Sequence, residues 1–530
     1  MLQTIEEILG ILAAVAALAL LSRKLPIPYP IVLVIGGLAL ALIPGLRRVP
    51  LNPELVFLFF LPPLLYPAAI FTSWRDFQAN LRPISLLAVG LVLFTTTAVG
   101  YLAHYFIPGF PLAAGFVLGA IVSPPDAIAA TAIAERLHIP RRIVTVIEGE
   151  SLVNDATALV ALRFAVAAVS TGAFSLAHAT AQFFFVGIGG IVVGLAIGWI
   201  SARIMKPIDD PPIEITISLL TPFAAYLPAE QLHVSGVLAV VTAGLYHGWL
   251  LPELTSSRTR LQAGPVWEMI EFLLNGFIFL LIGLQLPHVL RNLSGQSIQQ
   301  LGWYATLMSV AVVVIRILWV FPATYLPRLL SKSLRKRDPY PPWQYVAIVG
   351  WTGMRGVVSL AAALALPLTV ESGAPFPGRD LILFLTFVVI LVTLVVQGLS
   401  LPPLIRWLGV KDDGAAEKEE LGARLKANQA ALARLDEIAG SDNLNPDTVK
   451  RLRIEYEDRV RQLELSDSNQ DESERGLFSS EYDRLADETL GIERRTIIQL
   501  RNEQVINDEV LRKIQRDIDL AEARLRQPRR

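Results

Sequence analysis

The sequence contains no cysteine and only six histidines, and its first 410 residues are poor in charge. Without cysteine there are no disulfides, no thiol nucleophile and no Cys-based zinc site. No two histidines stand four apart, so no helix presents a metal-ligating pair. P-loop, GxSxG and HExxH motifs are also missing, which removes the common ATP-driven and hydrolytic chemistries. Over all 530 residues only 18% are charged, whereas soluble domains carry roughly 25%. Mean hydropathy is +0.50, and the balance points to lipid as the solvent.

The scarcity of charge is local. Of the 93 Asp, Glu, Lys and Arg residues, 50 follow residue 410. Residues 1–410 carry 24 basic and 19 acidic groups, and residues 411–530 carry 22 and 28. The chain therefore divides into an apolar part, 1–410, and a charged tail, 411–530, with the change at KDDGAAEKEE.

A helix needs about 20 apolar residues to cross the hydrocarbon core. Predominantly apolar runs meet that length approximately at 4–22, 29–45, 54–72, 82–106, 111–134, 143–170, 178–204, 212–228, 234–251, 266–288, 301–327, 343–368 and 380–405, giving thirteen expected spans. The first run carries Glu6 and Glu7 on its leading flank and the positive Arg23 and Lys24 after it, the reverse of a secretory leader, so it counts as a span. With the N-terminus outside, sixteen basic residues fall in inner loops against four (Arg47, Arg48, Arg291 and Arg379) in outer ones. The positive-inside rule then places the tail in the cytoplasm.

Two runs are interrupted. IVSPPDAIAA sets consecutive prolines and Asp126 in mid-span, and VGWTGMRGVVSL sets glycines around Arg355. Proline removes helix N–H donors and glycine loosens the helix, so both spans are expected to unwind there. The breaks lie seven spans apart, as two inverted six-helix repeats joined by a linking helix would require. Kinked helices in tight packing are the bland alternative.

Ionisable groups inside a membrane are costly and therefore point to function. In VIEGESLVNDATALVALRFA, Glu150 and Asn154 share one stripe, and Ser151 and Asp155 the next stripe about 100° round. Carboxylates, an amide and a hydroxyl are hard oxygen ligands suited to a small cation. Arg355 is available to neutralise one carboxylate while others bind the ion. Arg316, in the eleventh run, pairs with a carboxylate or satisfies carbonyls freed by a break. Arg163 and Glu148 flank the motif as snorkelling or pathway groups. Glu268 and Glu271 suit either an acidic funnel or the favourable start of a helix. Gly190, Gly194 and Gly198 suggest a close-packing face.

GESLVND, preceded by SPPDAIAATAIA and followed by GMRGVVSLAAALALP, resembles the NhaP/NHE branch of the cation/proton antiporters. LPPLLYPAAIF, SGVLAVVTAGL and FLLNGFIFLLIGLQL extend the likeness over residues 5–405. The resemblance implies an all-α polytopic membrane protein of a mobile core and a dimerisation domain, in a bacterial inner membrane. It implies that Na+ (or Li+ or K+) and H+ compete at Asp155, with Asn154 as companion and Ser151 and Asp126 contributing to the Na+ site. It implies a Glu150–Arg355 ion pair. Having Asn154 rather than a second aspartate implies electroneutral 1:1 exchange. Two positions depart from the family pattern: Pro125 stands where relatives often have threonine, and Tyr66-Pro67 where many have an acid. A cation channel and a membrane sensor are the competing readings. No cofactor and no nucleic-acid partner are expected; a homodimer is.

In the tail, Asn445-Pro446-Asp447 suggests a helix start and Gly440 a stop. Residues 466–475 suggest a linker, and Leu511, Ile514, Ile518, Ala521 and Leu525 a helix pair or coiled coil. A regulatory or dimer-stabilising role is expected.

Overall fold

The computed structural model describes residues 2–24, 28–43, 56–137, 139–172, 176–291, 297–439, 446–467 and 489–500, with positions 503, 514–515 and 517–521. Gly440, Asn445, most of 466–475, Leu511 and Leu525 lie outside the described residues, as do Arg47 and Arg48. Two compact units are present, Met1–Asp412 and Asp413–Arg530. Among the described residues both are helical, and the only β-type pairing is an isolated bridge between Thr369 and Pro375.

In the first unit, seven helices among the described residues are long and apolar enough to cross a membrane: Leu81–Phe106, Arg141–Thr171, Ala179–Met205, Gly236–Leu254, Ser257–Gln285, Ile298–Leu330 and Arg379–Leu408. Tyr29–Ala41, Phe57–Ile70 and Leu112–Val122 are shorter apolar helices. Local chemistry starts several of them. Ser235 Oγ accepts from the Leu238 N–H at 3.2 Å, and an Asp210 carboxylate oxygen accepts from the Ile213 N–H at 3.4 Å. Large apolar side chains such as Phe184, Phe185, Trp199, Leu318 and Trp407 stand exposed on the outer faces. An apolar exterior of this kind is what a lipid-solvated bundle presents.

The packing is close where side chains are small. A Cβ on Gly194 would lie 2.4 Å from the Ala239 carbonyl oxygen, so the glycine stripe of Leu176–Met205 lets the helix Gly236–Leu254 approach at backbone distance. Tyr29–Ala41 packs along Ser257–Arg291.

Both expected breaks are present. The first separates Leu112–Val122 from Ile128–Arg136, where Pro124 and Pro125 cannot donate to a helix ladder. The second separates Trp343–Trp351 from Val357–Leu364, around Gly353 and Gly356. Between Arg328 and Trp343, one carboxylate gathers three guanidiniums. Asp338 meets Arg82 at 2.8 Å, Arg142 at 2.7 Å and Arg328 at 2.7 Å.

In the second unit, Ala415–Ile438 and Pro446–Asp467 pair, with an Arg453–Asp436 contact at 3.2 Å between them. Helix Pro446–Asp467 opens on its proline, which lacks only an N–H that the first turn cannot use. Ile497 and Ile518 are buried, and Arg494 meets Asp519 at 2.7 Å.

Candidate functional site

The two breaks cross, and they hydrogen-bond to each other. The Asp126 N–H donates to the Met354 carbonyl at 2.7 Å, so each unwound segment satisfies part of the other's exposed backbone. Gly356 makes the crossing possible. A Cβ there would fall 1.8 Å from Asp126 Oδ2, so no other residue lets the carboxylate lie against this backbone. Asp126 Oδ1 accepts from the Ile128 N–H at 2.9 Å and so starts the second half-helix.

Arg141–Thr171 passes beside the crossing and presents the polar motif to it. Asn154 Nδ2 donates to the Pro125 carbonyl at 2.8 Å, leaving Oδ1 buried without a donor among the described residues. Pro125 thus contributes a carbonyl that Asn154 holds, and the amide works as a brace on the break. Ser151 Oγ accepts from the Ala127 N–H at 3.4 Å. Asp155 is 7% exposed, and with Asp126 and Ser151 it lines a cavity of about 520 Å3. The two carboxylates are near enough to feel each other's charge. Of the four residues expected at the ion site, Asp126, Ser151 and Asp155 share this cavity, and Asn154 is bound to the Pro125 carbonyl. Among the described residues no three His, Cys, Asp or Glu side chains cluster as a metal centre would require. Two carboxylates and a hydroxyl suit a cation held as cargo.

The expected Glu150–Arg355 pair is corrected. Glu150 instead forms a bidentate bridge with Arg316, at 2.5 Å from Nη1 to Oε1 and 2.8 Å from Nη2 to Oε2, with each side chain 1% exposed. Arg316 Nε donates to the Val349 carbonyl at 3.2 Å. Arg316 thus fills both roles open to it, carboxylate partner and donor to a freed carbonyl. Gly353 makes room, since a Cβ there would stand 2.6 Å from Arg316 Cδ. Arg355 is held by its backbone, whose N–H donates to Thr393 Oγ1 at 3.0 Å. Its guanidinium is fully buried, and none of its three nitrogens has a partner among the described residues. It still lies in the field of both Arg316 and Glu150.

Glu148, Glu268 and Glu271 also line the cavity, in keeping with an acidic funnel. The helix-start alternative fails for the last two, because their helix begins at Ser257 and the dipole effect fades within the first turn. Arg163 lies away from this set and pairs with Glu230 at 2.9 Å. Pro67 lines the cavity, whereas Tyr66 is buried with its hydroxyl 2.5 Å from His247 Nδ1. Sequence reading passed over Tyr29 and Asn275, which line the cavity too. Asn275 stands one helical turn after Glu271 in an otherwise apolar run, and that spacing was the available signal.

Residues 10–407 match a family described as "Sodium/hydrogen exchanger, transmembrane". The chain belongs to the sodium/hydrogen exchanger family. This exchanger is 38% identical over 528 residues to an uncharacterized Na(+)/H(+) exchanger of Mycobacterium tuberculosis, spanning 98% of this chain and 96% of that protein. It is 37% identical over 409 residues to the sodium, potassium, lithium and rubidium/H(+) antiporter of Bacillus pumilus, spanning 75% of this chain and 60% of that one. Its fold resembles the sodium proton antiporter MjNhaP1 from Methanocaldococcus jannaschii, with TM-score 0.57 and 19% identity over 77% of this chain and 99% of that one.

Proposed function

We propose that this exchanger moves Na+ against H+ across a bacterial plasma membrane, electroneutrally and one for one. A single observation carries the reading: a buried carboxylate, Asp155, lines one cavity with Asp126 and Ser151 beside the crossing of two broken helices, together with further acidic side chains. Asp155 takes either a proton or a cation, and the loaded site is carried between the two faces. Asn154 and the Arg316–Glu150 bridge keep the crossing in register while it moves. The transport unit is residues 1–410, laid out as thirteen spans in two inverted repeats, N-terminus outside and tail in the cytoplasm. It works as a homodimer, and residues 411–530 regulate it or strengthen the dimer.

The Bacillus pumilus relative is named for four alkali cations, so selectivity belongs in the test. Proteoliposomes loaded with a pH dye and clamped in voltage should show proton movement driven by Na+, with Li+ and K+ run in parallel. Cation-driven flux insensitive to voltage is the expected result. A steady current under voltage alone identifies a channel and overturns the proposal.

A further inference from the structure

Glu268, Glu271 and Asn275 follow each other at steps of three and four on Ser257–Arg291, so they share one helix face. All three line the cavity that holds Asp126, Ser151 and Asp155. Burial deepens along the stripe. Glu268 is exposed, Glu271 half-buried, and Asn275 only 5% exposed. At the deep end Asn275 Oδ1 is buried and receives no hydrogen bond among the described residues, although Asn275 borders a cavity lined by carboxylates. Buried amide oxygens are rarely left so, and each exception calls for an explanation such as a bound ion or water.

Tyr29 completes the set from the facing helix, Tyr29–Ala41. Its hydroxyl lies beside the Asn275 side chain and within the field of both the Glu271 and Asp126 carboxylates. Its ring packs against Phe272 at 6.1 Å between centroids, which restricts the ring's position. One amide oxygen, one phenolic oxygen and one carboxylate thus meet between the mouth of the cavity and the inner carboxylates. All three oxygens are hard donors of the kind alkali cations take, and the Glu271 carboxylate repels an anion.

We infer that Tyr29, Glu271 and Asn275 form an outer cation station, where a partly hydrated alkali cation rests before it reaches Asp126 and Asp155. Desolvation is then divided into two smaller steps, as in pores that bind ions at successive sites. The station sits on helices other than those that carry Asp155, so it sets how readily a cation arrives rather than how the loaded site moves. This rests on the antiport reading of the inner site.

The test is Na+-driven proton flux in proteoliposomes for the full chain, with KM and kcat separated. Asn275→Leu keeps the bulk and removes the oxygen; KM for Na+ should rise about threefold or more with kcat retained, because binding common to ground and transition states is lost. Asn275→Asp keeps an oxygen and adds charge, and its KM should equal or fall below the wild-type value. Tyr29→Phe removes only a hydroxyl and tests the station even if Asn275→Leu does not fold; its KM should also rise. An unchanged KM in Tyr29→Phe, or equal KM values for Asn275→Leu and Asn275→Asp, overturns the station while leaving exchange at Asp155 intact. Absence of exchange in the wild type removes the antiport reading and the station with it.

Discussion

The two units use the same ion-pair chemistry in opposite solvents. In the membrane unit Arg316 and Glu150 are each 1% exposed, held by two hydrogen bonds and a carbonyl. In the tail Arg424 and Glu420 meet at 2.5 Å with side chains 63% and 56% exposed. Water screens the second pair, and i,i+4 pairs of this kind contribute only about 0.3–0.5 kcal/mol. The first pair has no water to fall back on. Its attraction offsets a large desolvation cost, so it adds little net stability over apolar residues of the same volume. Losing one member is another matter, because the survivor is left charged and buried. The tail therefore uses charge for solubility, and the membrane unit uses it for geometry.

The sharpest way to break this comparison is to remove half of the buried pair. Glu150→Ala and Arg316→Ala should each cost about 3–5 kcal/mol, read as a fall in the thermal unfolding midpoint in detergent. The double variant Glu150→Leu with Arg316→Leu should recover most of it. Combining Glu150→Ala with Arg355→Ala should recover far less, and equal recovery by both pairs would restore the original assignment of Arg355 as partner.

Asp338 occupies the middle ground, half-buried beneath three arginines. Burial alone would raise its carboxyl, but the hydrogen bonds and charges of Arg142 and Arg328 outweigh that and hold it below the usual carboxylate range. A depressed pKa stabilises the fold above the unfolded value, near 4, and the contribution fades as pH falls through the folded value. Asp338→Asn should therefore unfold earlier than wild type by a margin, on the order of 1 kcal/mol, that stays constant from pH 8 to about 5. The margin should close below about pH 4. A gap that closes near neutrality would mean the arginines do not control this carboxyl.

The smallest effect belongs to the tail. Arg424→Ala should change its unfolding by no more than about 0.5 kcal/mol. Truncation after Val410 should leave cation/proton exchange in place, measured in proteoliposomes, since every buried charge discussed above precedes that point. Complete loss of exchange in a correctly inserted truncation would misplace the functional unit.

How much of this was legible follows the same division. Both breaks could be read because proline and glycine act locally, through a missing donor and a missing Cβ. The stripe of Glu150, Ser151, Asn154 and Asp155 could be read because helix geometry alone sets it. Glu150's partner could not. Arg316 and Arg355 are both buried arginines, and the choice between them rests on the space over Gly353 and on the Val349 carbonyl, which depend on how three helices meet. Asn275 escaped for a related reason: an amide in an apolar run looks structural until its oxygen is seen unpaired at a cavity wall. The role of Asn154 as a brace on Pro125 was hidden likewise, since proline's carbonyl leaves no trace in a sequence pattern.

The central claim is that proton and cation compete for the Asp155 carboxylate. The most direct measurement is the KM for Na+ as a function of pH in proteoliposomes, with Asp155→Asn as control. Below the site's titration KM should rise toward about tenfold per pH unit, because each proton bound excludes a cation. Asp155→Asn, which keeps shape and hydrogen bonding but cannot ionise, should fold with wild-type thermal stability and exchange nothing. Robust coupled exchange by Asp155→Asn, or a KM indifferent to pH throughout, would contradict the account.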